Sequence, residues 1–432
     1  MNKKKYLITD FGAKTNDRLQ TEAIQTAIDT CFLNGGGRVI IPCGRFLSGG
    51  LRLRSNVELY LESGAILKGS TDPEDYNSFI NDTLEPIAMP DPPIEPPLED
   101  GLSRWYNGFI RAFDAKNIAI TGETGSYIDG SNVYDGIGEE NYRGPHAICV
   151  WNCDGINLNG YTVIDSANWA HAIFLAKNIT ARNITVLGGH DGFDVRTCDN
   201  ILIEDCIFRT GDDSIAGFDN NDVVIRNCIL DSACSALRFG GNNVVIENCK
   251  GEAPGSYAHR GFMSMERRKL SELTSEGDRR NMLNAFLYYC DFRAEIRKTP
   301  GDIFIRNCDF ENPDAIIKLE FNGKHRWCLN RSLSSITFEN CRFTGLAKTS
   351  VVYGDKKEPI TLTLKNVEIS VNESYGEKPI IDLTNFDRLE LSNVTVKGIS
   401  EPTVVIRSEG ETVVENCTSI RVLREFGEPK GI

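Results

Sequence analysis

The chain has 432 residues, 41% hydrophobic and 25% charged, with a formal net charge of −14. That balance belongs to a folded globular protein and argues against nucleic acid or an anionic membrane surface as partner. No apolar run approaches the roughly 18 residues a membrane span requires.

Taken in chain order, Met1 to Tyr6 is basic but leads into a polar segment without the apolar stretch of a secretory signal. The expectation is therefore a cytoplasmic location, with secretion the alternative if a signal was trimmed. Residues 17–33 keep helical spacing through Leu19, Ala23, Ile24, Ala27, Ile28, Cys31 and Phe32. Asn16 or Asp17 is the expected N-cap, and Gly35, Gly36 and Gly37 end the helix. A strand over Arg38–Pro42 follows. Residues 71–108, rich in Pro and acidic groups, are expected to make a long surface excursion.

A phrase then recurs. Ile179–Ile184, Ile201–Cys206, Val223–Cys228 and Val244–Cys249 begin 22, 22 and 21 residues apart. It returns at Ile303–Cys308, Ile336–Cys341 and Val413–Cys417, with weaker copies ending at Val367 and Val394 and earlier ones near Ile118 and Ile156. Each copy is a short strand of alternating β-branched residues, so one face is buried. Asn or Asp follows where the chain must bend, because these residues tolerate left-handed backbone. A small apolar residue comes next.

Coils of about 22 residues carrying short strands predict an all-β fold: a single-stranded right-handed parallel β-helix, one domain over 1–432 with an N-terminal capping α-helix. A propeller blade needs about twice the period, and a leucine-rich repeat needs Leu at fixed positions. An Asn ladder is expected outside each bend and a Cys/Ile/Val ladder inside. The fourteen cysteines contain no C-x-x-C pair and read as free stacked thiols, not as disulfides or a zinc site. The rhythm breaks again over 251–300, where nine Arg and Lys residues cluster between Arg260 and Lys298.

The coil period also stacks chemistry. Trp169, Asp191, Asp212 and Cys234 follow one another at intervals of 22, 21 and 22 residues, which places them in a line with coils about 4.8 Å apart. Asp213 adjoins Asp212. Carboxylates held this close cannot all ionise freely. Glycoside hydrolysis needs such a pairing: one protonated carboxyl for the leaving oxygen and one carboxylate for water or carbon. Trp169 would offer a sugar ring an apolar platform. Asp194 is expected to be structural and Cys234 inert filler.

Several segments resemble glycoside hydrolase family 28, the polygalacturonase family. They are Ile8 to Lys14, Gly36 to Pro42, Leu59 to Tyr76, Ile128-Asp129-Gly130, His190-Asp191-Gly192-Phe193-Asp194 and Gly211-Asp212-Asp213. The resemblance runs over residues 6–265. It implies an inverting hydrolase in which Asp212 is the general acid and Asp191 with Asp213 holds and deprotonates water, with acid and base about 6.5–9.5 Å apart.

Two motifs of the family are missing. Its Gly-His-Gly would fall at Ala233-Cys234-Ser235, and its Arg-Ile-Lys is absent. His259 and Arg260 are the nearest stand-ins, and His171, His190 and Arg238 are further substrate-binding candidates. The expected substrate is an anionic pectic oligosaccharide, of galacturonan or rhamnogalacturonan type, attacked from its end, with residues 71–108 and 251–300 as walls of the cleft. No cofactor and no metal is expected. A lyase that uses a cation-neutralised uronate and a basic group, and a non-catalytic carbohydrate-binding β-helix, are the alternatives.

Overall fold

Three short strands and three bends make one turn of the chain, and the next turn lies in register on it. The computed structural model describes residues 3–79, 107–269, 275–290, 296–323, 328–418 and 420–427. The chain is a parallel β-helix. Its described residues gather into two compact units: Met1–Asp212 with Tyr257–Asp278, and Asp213–Ser256 with Arg279–Ile432.

In the first unit one turn comprises His146–Trp151, Asp154–Asn159 and Thr162–Ile164, and the next His171–Phe174, Lys177–Arg182 and Thr185–Gly188. A third comprises Phe193–Arg196, Asp199–Glu204 and Ile207–Thr210. The pairing is parallel, with Ile156 beside Ile179 and Ile179 beside Ile201. Alternate residues point inward, so Ile156, Leu158, Ile179, Ala181, Ile201 and Ile203 are buried. The predicted bend residues Asn183 and Asp205 have φ of 52° and 55°, and Asn178 and Asn200, near the starts of the strands, have 57° and 56°, where a bulkier side chain would be strained. Their amides bond between turns, Asn183 Nδ2 to Asn159 Oδ1 at 3.1 Å and Asn200 Nδ2 to Asn178 Oδ1 at 3.1 Å.

The second unit repeats the construction. Val244, Ile303, Ile336, Leu362 and Leu389 are successive register partners. Asn340, Asn366 and Asn393 each donate to the Asn one turn earlier at 3.2, 2.9 and 2.8 Å. Cys228, Cys249, Cys308 and Cys341 stack inside as buried cysteines in no disulfide. None of the fourteen cysteines is in a disulfide; Cys43 is exposed, and Cys234 and Cys417 are half-buried.

The N-terminal helix is shorter than the spacing predicts. It covers Thr21–Leu33, and its N-cap Gln20 makes no side-chain cap bond. Asn16 instead accepts from the Arg18 N–H at 3.0 Å and from Gln20 Nε2 at 2.9 Å, closing a turn ahead of the helix. Ile24, Ala27, Ile28 and Cys31 face the core, while Leu19 and Phe32 are exposed. The stop is as expected: at Gly37 (φ 152°) an added Cβ would sit 2.5 Å from the Lys4 carbonyl oxygen.

No described helix is long and apolar enough to cross a membrane. The interruption at 71–108 begins with a short helical turn over Pro73–Phe79, and residues 80–106 lie outside the described residues. Within 251–300, residues 270–274 and 291–295 also lie outside them.

Candidate active site

In the first unit the turn-to-turn stacking brings Asp191 and Asp212 together. The Ala170 N–H donates to the Asp191 carbonyl at 2.9 Å, and the Gly211 N–H to the Gly188 carbonyl at 2.9 Å. Both carboxylates are buried, and one oxygen of each lies within 4.8 Å of the other. The nearest oxygens are thus within about one strand spacing of each other, whereas the roughly 6.5–9.5 Å usual for an inverting pair is the separation of whole carboxyl groups.

A strap formed by residues 257–269 crosses these turns. Its fit explains two glycines. An added Cβ at Gly211 would lie 2.7 Å from the Ala258 carbonyl carbon, and one at Gly189 would lie 2.5 Å from Arg260 Cγ. Only bare backbone lets the strap approach so closely.

The strap delivers His259 to the acid. His259 Nδ1 accepts the Gly261 N–H at 3.0 Å, and Nε2 lies 3.2 Å from Asp212 Oδ2. With Nδ1 accepting, the neutral ring carries its proton on Nε2 and donates it to Asp212. Arg268 in turn ties the strap together, donating from Nε to the Arg260 carbonyl at 3.0 Å and also to the Gly261 carbonyl.

A second approach to Asp212 comes from residues 139–143. Arg143 is buried, and its Nη2 lies 3.7 Å from the same oxygen, Asp212 Oδ2. Its Nε donates to Glu140 Oε2 at 3.0 Å and its Nη1 to Asn168 Oδ1 at 3.2 Å. Asn168 Nδ2 donates to Glu139 Oε2 at 2.9 Å. Burial pushes the Glu139 carboxyl up to about 7, against the opposing charge of Arg143. Burial also acts on Glu140, but the charge and hydrogen bond of Arg143 outweigh it and hold that carboxyl below its ordinary range.

These residues were missed in the sequence, although Gly138 to Gly144 is a charged run framed by glycines just after Ile128-Asp129-Gly130. No coil period predicts its fold.

His190 and Arg260 lie deep in this site, 3% and 2% exposed. His190 Nε2 and Arg260 Nε and Nη1 have no hydrogen-bond partner. Burial, with the charges of Arg143 and Arg260, holds His190 far below its ordinary range and therefore neutral. Burial brings Arg260 down to about 10. Tyr142 sits among them, its ring 6.0 Å from His190, 4.3 Å from the Arg268 guanidinium and 5.9 Å from that of Arg260. His190 and Arg260, expected to contact sugar, are thus enclosed groups, and of the two Arg260 raises the local positive potential.

Two other expected contacts turn inward. His171 is the register partner of the core residue Ile148. It bonds Tyr161 Oη at 2.9 Å and the Gly192 carbonyl at 3.0 Å, which leaves neither ring nitrogen for a sugar, and burial lowers it to about 4. Trp169 is 5% exposed, in a cluster with Phe113, Trp151 and Phe174 and with the Arg196 guanidinium 4.5 Å from its ring. No open platform remains there. Asp194 is structural, paired with Arg196 at 2.9 and 3.1 Å.

In the second unit Asp213 Oδ1 accepts the Ser235 N–H at 2.9 Å, and Oδ2 lies 3.5 Å from Arg238 Nη1. The Arg238 guanidinium covers the Tyr289 ring at 4.0 Å. Arg238 is therefore already committed to a carboxylate and an aromatic face. The half-buried Cys234 belongs to this unit, its N–H bonded to Ser232 Oγ at 2.9 Å.

Residues 100–234 match glycosyl hydrolases family 28. The chain is 28% identical over 257 residues to a probable polygalacturonase of Vitis vinifera, covering 53% of this chain and 50% of that protein. It is 26% identical to an exo-poly-alpha-D-galacturonosidase of Dickeya chrysanthemi, over 48% of this chain and 41% of that protein. The chain thus spans about half the length of these curated relatives. Among solved structures it resembles an exopolygalacturonase from Thermotoga maritima, with a TM-score of 0.63, 20% identity and coverage of 96% and 93% of the two chains. A family 28 exopolygalacturonase from Yersinia enterocolitica gives 0.57 at 19% identity, over 98% and 78%. These structural likenesses establish the fold.

Proposed function

We propose that this chain, a divergent member of glycosyl hydrolases family 28, hydrolyses a glycosidic bond in a galacturonate-containing pectic oligosaccharide, from the chain end and with inversion. The observation that carries the reading is a buried Asp212 with His259 on one of its oxygens and Asp191 within 4.8 Å.

His259 and Arg143 both approach Oδ2 of Asp212. In the proposed reaction Asp212 gives its carboxyl proton to the glycosidic oxygen as the C1–O bond breaks. Asp191 takes a proton from the water whose oxygen bonds to C1. The resemblance gives Asp213 a second hold on that water. Arg260 and Arg268 supply positive potential for an anionic sugar in a chain of net charge −14, in place of the missing Arg-Ile-Lys.

Action from the end of the substrate rests on the kinship with an exo-acting relative. Inversion rests on the family resemblance. The first-formed anomer is thus an informative product.

The test is proton NMR of purified protein acting on trigalacturonate, with a galacturonate–rhamnose oligosaccharide in parallel. The expected result is release of saturated monogalacturonate in the configuration opposite to that of the bond cleaved. Ultraviolet-absorbing unsaturated products would replace hydrolysis by elimination. Mid-chain fragments from polymer would refute end action, and a retained anomer would refute inversion.

A further inference from the structure

We propose that Arg143 is a positioning residue for the acid step, acting through Asp212 and tuned by Glu140. The inference rests on the hydrolytic reading above and goes beyond it, because no motif that marks the site includes residues 139–143.

The geometry assigns the task. Arg143 Nη2 stands 3.7 Å from Asp212 Oδ2, longer than a hydrogen bond but close for two charges. Its shorter bonds go elsewhere, 3.0 Å to Glu140 and 3.2 Å to Asn168. In the resting state, with Asp212 protonated, Arg143 is neutralised by Glu140 and does not draw the proton off the acid. As Asp212 releases its proton, negative charge grows 3.7 Å from a fixed guanidinium. An interaction that strengthens only as the reaction proceeds lowers the barrier.

The loop is built to hold that distance. The Asp135 N–H bonds the Tyr142 carbonyl at 3.1 Å, and the Arg143 N–H bonds the Glu139 carbonyl at 3.0 Å. An added Cβ at Gly144 would lie 2.7 Å from the Val133 carbonyl oxygen and 2.9 Å from Ala167 Cβ. The titratable groups facing Asp212 in its own unit are Asp191, His259 and Arg143, with Glu140, Tyr142 and His190 behind them. Asp213 follows it in the chain.

The experiment uses the charge-conserving variant R143Q/E140Q, so that no lone buried charge is left. Two substrates are compared: trigalacturonate, whose leaving sugar needs a proton, and a nitrophenyl α-galacturonide, whose phenol leaves without one. The expected kcat on trigalacturonate falls about 100-fold, within the range for lost acid catalysis, while kcat on the aryl substrate stays within about threefold. In the single variant Glu140→Gln, Arg143 is left unneutralised, and the alkaline limb of kcat/KM is expected to shift to lower pH. Equal losses of R143Q/E140Q on both substrates would mark Arg143 as merely structural, and no loss on either would make it irrelevant; both overturn the proposal. A wild-type protein that hydrolyses neither substrate would instead refute the hydrolytic reading on which it rests.

Discussion

Replacing Gly211 by Ala tests whether the strap holds the acid. The new methyl would sit 2.7 Å from both the Ala258 carbonyl carbon and the Gly189 carbonyl oxygen. Ordinary carbon contacts are roughly 3.5–4.0 Å, so the strap must retreat by about 1 Å. His259 rides on it one residue further on. Its 3.2 Å approach to Asp212 would open past hydrogen-bonding range. A misplacement of about 1 Å at a catalytic group costs on the order of 100-fold, and overpacking costs about 1–3 kcal/mol of stability. Gly188→Ala is the control, since its nearest neighbours to an added Cβ are at 3.7 Å or more. Initial rates on trigalacturonate and calorimetric melting of both variants give the comparison. Gly211→Ala should lose about two orders of magnitude in kcat and melt lower; Gly188→Ala should do neither. Full activity in Gly211→Ala would show that the strap does not set the acid.

Two further outcomes follow from the same geometry. His259→Gln removes the ring donor to Asp212 Oδ2 and should lower kcat about 10- to 100-fold while leaving the melting temperature nearly unchanged, as measured by steady-state kinetics and calorimetry. Glu139 concerns pH and stability. Its carboxyl is raised from its ordinary 4.5 to about 7. The folded protein therefore keeps a proton that the unfolded chain has lost, and this contribution is full below 4.5 and is lost as pH rises through 7. Glu139→Gln should remove that loss, worth up to about 3 kcal/mol. His171, lowered to about 4, acts in the opposite sense over much of the same range. The readout is therefore the variant-minus-wild-type difference in denaturant unfolding at pH 5 and pH 8. A constant difference would contradict the assignment.

The coils were legible because a single-residue preference repeats. Asn183, Asn227, Asn248, Asn307, Asn340 and Asn416 all adopt left-handed backbone, with φ between 52° and 55°; the following Ile184, Cys228, Cys249, Cys308 and Cys341 are buried, and Cys417 is half-buried. The same periodicity found Asp191 and Asp212. It indicates which residues lie above one another but not which way each side chain points. His171 and Trp169 stand on expected turns, yet one faces the core and the other is covered. The helix start was misplaced because Asn16 caps a turn of its own. Arg143, Glu139 and Glu140 were missed because non-repetitive loops position them, and only tertiary folding brings such loops to the acid. His259 was visible solely as a histidine near a missing motif; its place is set by the glycines beneath the strap.

The central claim is that Asp212 gives the proton that frees the leaving sugar. Its most direct test is the initial rate of trigalacturonate hydrolysis by Asp212→Asn against wild type, with matched melting curves. The account predicts a loss of at least about 1,000-fold in kcat with the fold intact. Activity within about tenfold of wild type would contradict it.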